Sequence, residues 1–326
     1  MSEPEKATAF RSNFRRIKEE LNKVFVGHDD LVTDLLAAVT ADGHVLLEGV
    51  PGLGKTLLAR SLAGTLSLKF ARIQFTPDLM PADITGSLQL QEDEKGIPRL
   101  SFRPGPLMTN FLLADEINRA TPRTQSALLE AMQEHQITAG EKTFSLPEPF
   151  TVIATENPIE QEGTYPLPEA ELDRFLIKLD LGYPDEASYS RILDLTTGTE
   201  SPEPGVVCSG EEILAMRRTL REVLAEESVK QYAIHLVMGS QPESSLCPGT
   251  CRELLLRGAG PRAAQGLLLM GKAYALLDGR TAVGCCDIVR AFLPVMRHRI
   301  ALTFEAQMAG ETPDRVLKRL LEAVKK

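Results

Sequence analysis

Residues 49–56 of the chain read Gly49-Val50-Pro51-Gly52-Leu53-Gly54-Lys55-Thr56. This stretch fills every fixed position of the pattern G-x-x-x-x-G-K-[ST], in which glycines let the backbone curl so that successive N–H groups face an anion. An apolar run precedes it and a helical pattern follows it, so the helix would add its positive N-terminal end. Lys55 would then reach the β- and γ-phosphates, and the Thr56 hydroxyl would bind Mg²⁺. A glycine-rich turn with an unrelated lysine is the alternative, but the flanking strand and helix favour a site for a nucleoside triphosphate.

Composition restricts the class of protein. The chain has 326 residues, of which 43% are hydrophobic and 25% charged, as is ordinary for a globular protein of one or two domains. A net charge of −9 gives no overall attraction to nucleic acid or to an anionic membrane, although a locally basic pore lining is compatible with it. The first residues lack the apolar centre of a secretory signal, and no run is long enough to span a bilayer. We therefore expect a cytoplasmic protein.

The five cysteines all lie at or after Cys208. The spacing of Cys247, Cys251 and the pair Cys285-Cys286 matches no usual zinc pattern, and no histidine accompanies them. Free thiols in a reducing compartment are the favoured interpretation, and we expect no structural metal.

The chain divides near residue 185. Before that point, strand-like and helix-like segments alternate, which predicts an α/β core with a largely parallel sheet flanked by helices, over residues 1–185. The predicted strands are 44–48, 69–76, 111–115, 150–155 and 175–181. The predicted helices are 7–23, 29–41, 55–66, 122–135 and 169–173. A Pro- and Gly-rich segment at 78–110 predicts an inserted hairpin or loop, and 136–147 predicts a second hairpin.

After Pro184 the β-branched runs end and helical periodicity dominates, which predicts an all-α domain over 186–326. The predicted helices are 186–197, 210–226, 228–238, 261–278, 285–298 and 312–325. Exposed connections are expected from Thr197 to Gly210 and from Gly239 to Gly260.

The apolar stretch at 111–114 runs into two adjacent carboxylates, Asp115 and Glu116. Ligands collect at the carboxyl ends of parallel strands, so Asp115 is predicted to support the Mg²⁺ shell and Glu116 to polarise a water for attack on the γ-phosphate. A strand that happens to end in solvated acids is the alternative. Together with the phosphate loop, the pair favours hydrolysis over binding alone.

The strand pattern at 150–155 runs towards Asn157-Pro158. The Asn157 amide is a candidate to hydrogen-bond the attacking water or the γ-phosphate. Asparagine before proline is also ordinary turn chemistry, and both interpretations are compatible.

Longer motifs carry a resemblance to a known family. They are residues 115–122, 125–134, 154–170 and 172–175, which read DEINRATP, QSALLEAMQE, ATENPIEQEGTYPLPEA and LDRF. Together they resemble the AAA+ ATPases of the MoxR family; the similarity is dense from Val26 to Tyr183 and resumes at 258–262. The resemblance implies a P-loop NTPase core of the AAA+ type followed by an all-α lid, and an ATPase that uses ATP and Mg²⁺.

The resemblance also implies roles for single residues. Asn157 corresponds to the first sensor, and Arg174 to the arginine finger that acts in trans on the neighbouring subunit's nucleotide. Arg262 corresponds to the second sensor of the lid. Val26 and Gly27 correspond to the segment beside the adenine, although His28 stands where the family more often has glutamine. The expected nucleotide contacts are Gly49, Pro51, Gly52, Gly54, Lys55, Thr56, Leu57, Val26 and Gly27, with Thr56 and Asp115 at the metal and Glu116, Asn157, Arg174 and Arg262 as catalytic residues.

Structural alternatives exist for both arginines. Arg174 could pair with Asp173 or Glu171, and Arg262 could be a surface charge in a first helical turn that begins with Pro261. The family context favours the catalytic roles for both.

At the level of function, the resemblance implies a hexameric ring with a chaperone-like role, which matures or activates protein complexes alongside partners that carry a von Willebrand factor A-type domain. The segments at 80–86 and 103–107 resemble the ends of the family's insert, with a polar tip at 92–96. One alternative is a motor that translocates nucleic acid, which the net charge and the 5% aromatic content disfavour. Another is a nucleotide-gated scaffold with little turnover, against which the complete set of catalytic residues argues.

Overall fold

The computed structural model describes residues 3–92, 98–140, 142–158, 163–198 and 202–324. Several sequence predictions fall on residues outside these ranges. They concern most of the polar tip at 92–96, Glu141 of the second hairpin, residues 159–162 of the family-like motif, and residues 199–201 of the first connection. The elements below are those of the described residues.

Five parallel strands form the central sheet. In chain order the elements up to the second of these strands are α1 (Glu3–Val24), α2 (Asp29–Thr40), β1 (Val45–Gly49), α3 (Lys55–Thr65) and β2 (Phe70–Gln74). The remainder of this part comprises α4 (Pro81–Thr85), β3 (Gly86–Glu92), β4 (Pro98–Pro104), β5 (Phe111–Asp115), α5 (Pro122–Glu134), β6 (Gln136–Ala139), β7 (Lys142–Ser145), β8 (Thr151–Glu156), α6 (Glu169–Leu172) and β9 (Ile177–Leu181). The sheet order is β2-β5-β8-β1-β9. All five predicted core strands are confirmed, with ends that differ by at most two residues.

Both predicted hairpins are present. Strands β3 and β4 pair antiparallel from Gly86 opposite Pro104, and β6 pairs antiparallel with β7. The Phe102 ring of the first hairpin stacks on Phe144 of the second, with ring centroids 4.0 Å apart. At the base of the first hairpin the backbones approach so closely that a Cβ on Gly86 would lie 2.4 Å from the Arg103 carbonyl oxygen. Glycine is therefore required there, and its φ of 100° is one that other residues rarely adopt.

The C-terminal part is mainly helical. Its elements are α7 (Glu186–Thr197), α8 (Gly210–Glu222), β10 (Leu224–Ala225), α9 (Glu227–Gly239), α10 (Gly249–Arg252), β11 (Leu255–Arg257), α11 (Pro261–Leu277), β12 (Ala282–Val283), α12 (Cys285–Met296), β13 (Ala301–Leu302), α13 (Phe304–Met308) and α14 (Pro313–Ala323). The prediction of an all-helical domain missed two short strand pairs, β10 with β12 and β11 with β13. Strands of two or three residues are too short to show an alternating pattern. No described helix is both long and apolar enough to cross a bilayer.

Two hydrophobic cores lie on opposite faces of the sheet. Because side chains alternate along a strand, Val45 and Leu47 face one core while Leu46 faces the other. The second core is closed by α5 and the base of the insert. The first contains α1, α2 and α3 together with α8, α9, α11 and α12. The helices after residue 208 therefore pack as part of the same core as the first two helices, whereas α7 has no buried residue.

Polar contacts also fasten the helical part to the core. On α8, the buried Arg217 donates to the Val39 carbonyl at 3.2 Å and to the Thr151 hydroxyl at 3.0 Å, and it pairs with Asp42. The Tyr274 hydroxyl of α11 donates to a carboxylate oxygen of α2 at 2.7 Å. These contacts join the two parts of the chain closely. The division into two domains at residue 185 remains a prediction.

Candidate active site

The phosphate loop connects β1 to α3. Gly52 and Gly54 adopt φ values of 88° and 84°. Such positive values let the backbone of the loop curl so that its N–H groups can point towards an anion. A Cβ on Gly52 would meet no atom within 4 Å, so there is open space beside this part of the loop. The Lys55 ammonium donates to the Gly49 carbonyl at 2.6 Å and to the Glu156 carbonyl at 3.4 Å. The lysine side chain is thus held between the first residue of the loop and the end of β8.

Asp115 lies at the end of β5 and is buried. One carboxylate oxygen accepts the Thr155 hydroxyl at 2.6 Å, and the other accepts the Arg72 guanidinium at 2.6 and 3.1 Å. Thr155 comes from β8 and Arg72 from β2, the two strands that flank β5. The Thr155 hydroxyl in turn accepts the N–H of Glu116 at 2.8 Å. Strand adjacency therefore fixes the orientation of the first carboxylate of the pair.

The Glu116 side chain is held by two donors. Its Oε2 accepts the Gln74 amide at 2.7 Å and pairs with the Arg119 guanidinium at 3.1 Å. Gln74 ends β2 and also accepts a hydrogen bond from Arg72 at 2.8 Å. The backbone of Glu116 has a φ of 56°, which turns the chain away from the strand immediately after Asp115. The structure thus adds Arg72, Gln74 and Arg119 to the candidate site.

The predicted sensor residue Asn157 follows β8 and is buried. Strand β8 lies between β5 and β1, and parallel strands bring their carboxyl ends to one edge. Lys55, Asn157 and the Asp115-Glu116 pair therefore gather at a single edge of the sheet. This is the arrangement expected of a site for triphosphate hydrolysis.

Beside the phosphate loop, a cleft of about 410 Å³ has a mainly apolar lining. The residues lining it include Phe25, Val26, His28, Pro51, Gly52, Gly54, Leu57, Tyr183, Tyr189, Ile192 and Thr196. Gly27 contacts α7 directly, since a Cβ there would lie 2.9 Å from the Ser188 hydroxyl oxygen. The apolar lining suits a nucleobase next to the phosphates. The sequence-based assignment missed α7 as the second wall, to which Tyr189, Ile192 and Thr196 contribute.

Arg174 lies at the opposite edge of the sheet. It precedes β9, which runs parallel to β1, and the nearby Leu176 N–H donates to the carbonyl of His44 immediately before β1, at 2.8 Å. The phosphate loop follows the far end of β1, and a five-residue strand spans about 17 Å. Arg174 is therefore separated from its own phosphate loop by about the length of one strand of the sheet.

Arg262 lies near Arg174 and away from the cleft beside the phosphate loop. Both line a cavity of about 220 Å³ at this edge, together with Arg299 and Asp173. Asp173 pairs with Arg299 at 2.8 Å and with Arg262 at 3.9 Å, so the ion pair considered between Asp173 and Arg174 is replaced by these two. Arg262 is in the first turn of α11, after Pro261, as the sequence indicated. We call this set, Asp173, Arg174, Arg262 and Arg299, the finger cluster.

His44 is a buried side chain at the same edge of the sheet. Its Nδ1 accepts the Val152 N–H at 3.0 Å and its Nε2 lies 3.2 Å from the Met132 carbonyl, so the neutral ring carries its proton on Nε2. Burial lowers the pKa of His44 to about 3 from its ordinary value of 6.5. Below pH 6.5 the imidazole therefore takes up a proton in the unfolded chain but stays neutral in the folded chain. The free energy of unfolding that this group contributes is fully present above pH 6.5 and is lost as the pH falls towards 3.

We expect the wild-type protein to lose about 2 kcal/mol more unfolding free energy than His44→Gln between pH 7 and pH 5. Glutamine keeps one acceptor and one donor but does not titrate, and the contributions of all other groups cancel in the comparison. Urea unfolding of both proteins at the two pH values measures the difference. Equal losses in the two proteins would contradict a neutral buried imidazole.

The fold and the site define an AAA+ ATPase, a P-loop NTPase with a helical lid. A family model described as "ATPase family associated with various cellular activities (AAA)" matches residues 44–177, and an AAA lid domain model matches residues 250–320. A crystal structure from Cytophaga hutchinsonii, of a protein assigned as an ATPase, superposes with a TM-score of 0.89 at 38% identity, covering 98% of this chain and 97% of that one.

Curated relatives match over nearly the whole chain. The uncharacterized protein YeaC of Bacillus subtilis is 42% identical, over 94% of this chain and 92% of its own length. The chaperone MoxR1 of Mycobacterium tuberculosis is 39% identical, over 94% of this chain and 80% of its own. The protein MoxR of Methylorubrum extorquens is 32% identical, over 97% and 96%. The chain belongs to the MoxR family of AAA+ ATPases.

Proposed function

We propose that this protein hydrolyses ATP, with Mg²⁺, at the interfaces between the subunits of a ring. The observation that carries the proposal is the separation of Arg174 from its own phosphate loop by about the length of one strand of the sheet. A guanidinium stabilises a transferring phosphoryl group only by direct contact. If Arg174 acts in catalysis, it must therefore act on the nucleotide of a second copy.

In this proposal the triphosphate is bound by the loop at 49–56, and the base by the cleft between that loop and α7. The open space beside Gly52 and the Lys55 ammonium at the Gly49 carbonyl fit a polyphosphate. Thr56 and Asp115 would hold Mg²⁺, and the bound ion would supply positive charge against the charge that develops on the phosphates during transfer. The carboxylate of Asp115 already faces this edge of the sheet, held there by Thr155 and Arg72.

Glu116 then acts as the base. An in-line water donates a hydrogen bond to its carboxylate, which orients the oxygen lone pair towards the γ-phosphorus and accepts the proton as the bond from water to phosphorus forms. The bond from the γ-phosphorus to the β–γ bridging oxygen breaks at the same time, and ADP and inorganic phosphate leave. The Asn157 amide supplies a second orienting contact. Because the Glu116 carboxylate is held by Gln74 and Arg119 in this structure, it must release or share these donors when it engages the water.

The neighbouring subunit completes the site with Arg174 and Arg262. Both line one cavity, so a neighbour that brings one to the phosphates brings the other close by. Contacts between two different faces of the same chain propagate in one direction and close into a ring when the rotation permits. The family resemblance leads us to propose six subunits.

The proposed output is mechanical work on partner proteins in the cytoplasm. The relative named chaperone MoxR1 supports a chaperone-like role for this chain. Helix α7 contacts both the nucleotide cleft and the Val26–His28 segment while burying none of its own residues, so it is suited to move with nucleotide state. We propose a protein with a von Willebrand factor A-type domain as the partner.

The proposal predicts an ATPase rate that depends on assembly. Dilution to monomers should lower the rate per subunit by at least about a hundredfold, because the finger is then lost, while ATP binding to the cleft is retained. ATP hydrolysis and ATP binding are measured across a dilution series, and light scattering gives the mass of the assembly at each concentration. These measurements check both the loss of rate and the retained binding. A monomer that hydrolyses ATP at the undiluted rate would refute the shared site.

A further inference from the structure

Arg299 is a buried arginine that the ATPase mechanism above leaves without a role. It lies just after α12, 126 positions along the chain from Asp173, and is only 4% exposed. A buried guanidinium is costly to desolvate unless its donors are satisfied. The positions of its acceptors therefore indicate what this side chain holds in place.

Most of its acceptors belong to the segment 173–176, which carries Arg174. The Arg299 Nε donates to the Asp173 carboxylate at 2.8 Å, and Nη2 donates to the Phe175 carbonyl at 2.6 Å and to the Asp173 carbonyl at 3.3 Å. Nη1 donates to the Leu176 carbonyl at 3.0 Å and to the carbonyl of Val295 near the end of α12. Arg174 is thus bracketed by backbone groups that one guanidinium holds.

The same guanidinium acts indirectly on Arg262. It fixes one oxygen of the Asp173 carboxylate, and the other oxygen faces Arg262 at 3.9 Å. Lysine cannot make the same set of hydrogen bonds, because an ammonium presents its donors from a single point and cannot span a carboxylate and four carbonyls.

We infer that Arg299 is a positioning residue for the arginine finger, which holds the segment 173–176 so that Arg174 and Arg262 face the neighbouring subunit. This inference rests on the proposed trans site. It assigns Arg299 no contact with nucleotide in either subunit. Loss of Arg299 should therefore damage what a subunit gives to its neighbour and leave its own nucleotide site intact.

The first test compares Arg299→Lys with Arg297→Lys as a matched control. Arg297 lies two residues earlier and pairs with Asp180 and Asp314, outside the segment that carries the finger. We expect Arg299→Lys to lower kcat at least about tenfold with nucleotide affinity and assembly retained, and Arg297→Lys to stay within about twofold of wild type. An unchanged kcat in Arg299→Lys would overturn the inference.

The second test separates positioning from a general structural role. Arg299→Lys subunits are mixed with Glu116→Gln subunits, which hydrolyse poorly but carry an intact finger. Random mixing at equal amounts pairs an intact loop and base with an intact finger at about one quarter of interfaces, so recovery to about a quarter of the wild-type rate is expected. A subunit whose own site is distorted would show no recovery, and this result would overturn the inference.

Two further mixtures keep the outcome decisive. If Arg299→Lys does not fold, Asp173→Asn replaces it, because that variant removes the charged acceptor of Arg299 at a half-buried position and should be rescued in the same way. A mixture of Arg174→Ala with Glu116→Gln reports on the trans site itself. Recovery in that mixture without recovery for Arg299→Lys would reject only the positioning role, whereas failure of both would reject the proposed function.

Discussion

Replacing Glu116 by glutamine is expected to lower the rate of ATP hydrolysis by about 10²–10⁴-fold while ATP binding is retained. The substitution preserves the size of the side chain but removes the carboxylate that orients the water and accepts its proton. The phosphate loop and the cleft beside α7 do not involve this side chain, so affinity should change little. Steady-state hydrolysis and equilibrium binding of ATP, measured on the same preparation, check the two expectations together.

A matched control for this prediction is Glu19→Gln. Glu19 is an exposed carboxylate on α1, paired only loosely with Arg15 at 3.9 Å. The Glu19→Gln variant should hydrolyse ATP at the wild-type rate. Full activity in Glu116→Gln would show that another group activates the water, and loss of binding would place Glu116 in nucleotide recognition.

Replacing Arg174 by alanine is expected to have the largest effect, a loss of about 10³–10⁵-fold in kcat in the assembled protein. The guanidinium would neutralise charge on the transferring phosphoryl group of the adjacent subunit, which alanine cannot do. ATP affinity of the variant's own cleft should stay near wild type, since the sheet separates Arg174 from its phosphate loop by about 17 Å. Single-turnover hydrolysis with assembled protein measures the loss.

Arg218→Ala serves as the control, because Arg218 is an exposed arginine on α8. Its activity should match that of the wild-type protein. A wild-type rate in Arg174→Ala would remove the main support for a site shared between subunits. A loss of assembly in Arg174→Ala would instead assign the residue to the interface alone.

The sequence predicted the main lines of the core because its signals are local. The strand at 111–115 is a continuous apolar run that ends in two acids, and residues 49–56 form a complete motif. The strand is confirmed, the stretch at 49–56 connects a strand to a helix as predicted, and the MoxR resemblance is confirmed by the relatives. The roles of the phosphate loop, Asp115, Glu116, Asn157, Arg174 and Arg262 remain predictions, now with defined surroundings.

The contacts that the sequence could not reveal depend on topology. Gln74 meets Glu116 because β2 lies next to β5, and this neighbour relation is not encoded by the local pattern of either strand. Helix α7 forms a wall of the nucleotide cleft by folding back after β9. Arg299 reaches Asp173 across 126 positions of the chain, where no spacing rule applies.

Arg262 illustrates the same limit. Its motif suggested a lid residue that senses nucleotide, but motif position does not state on which side of the sheet the lid lies. The packing of α11 against α2 brings it to the edge of the sheet that carries Arg174. Asp173 then pairs with both Arg262 and Arg299 at this edge.

The ATPase rate of a mixture of Arg174→Ala and Glu116→Gln subunits shows whether each catalytic site is shared between two subunits. Each variant alone should be nearly inactive. Mixed in equal amounts and allowed to assemble, they should recover about a quarter of the wild-type rate, because some interfaces then combine an intact base with an intact finger. A mixture no more active than the sum of its two components would contradict the claim that each catalytic site is built from two copies of the chain.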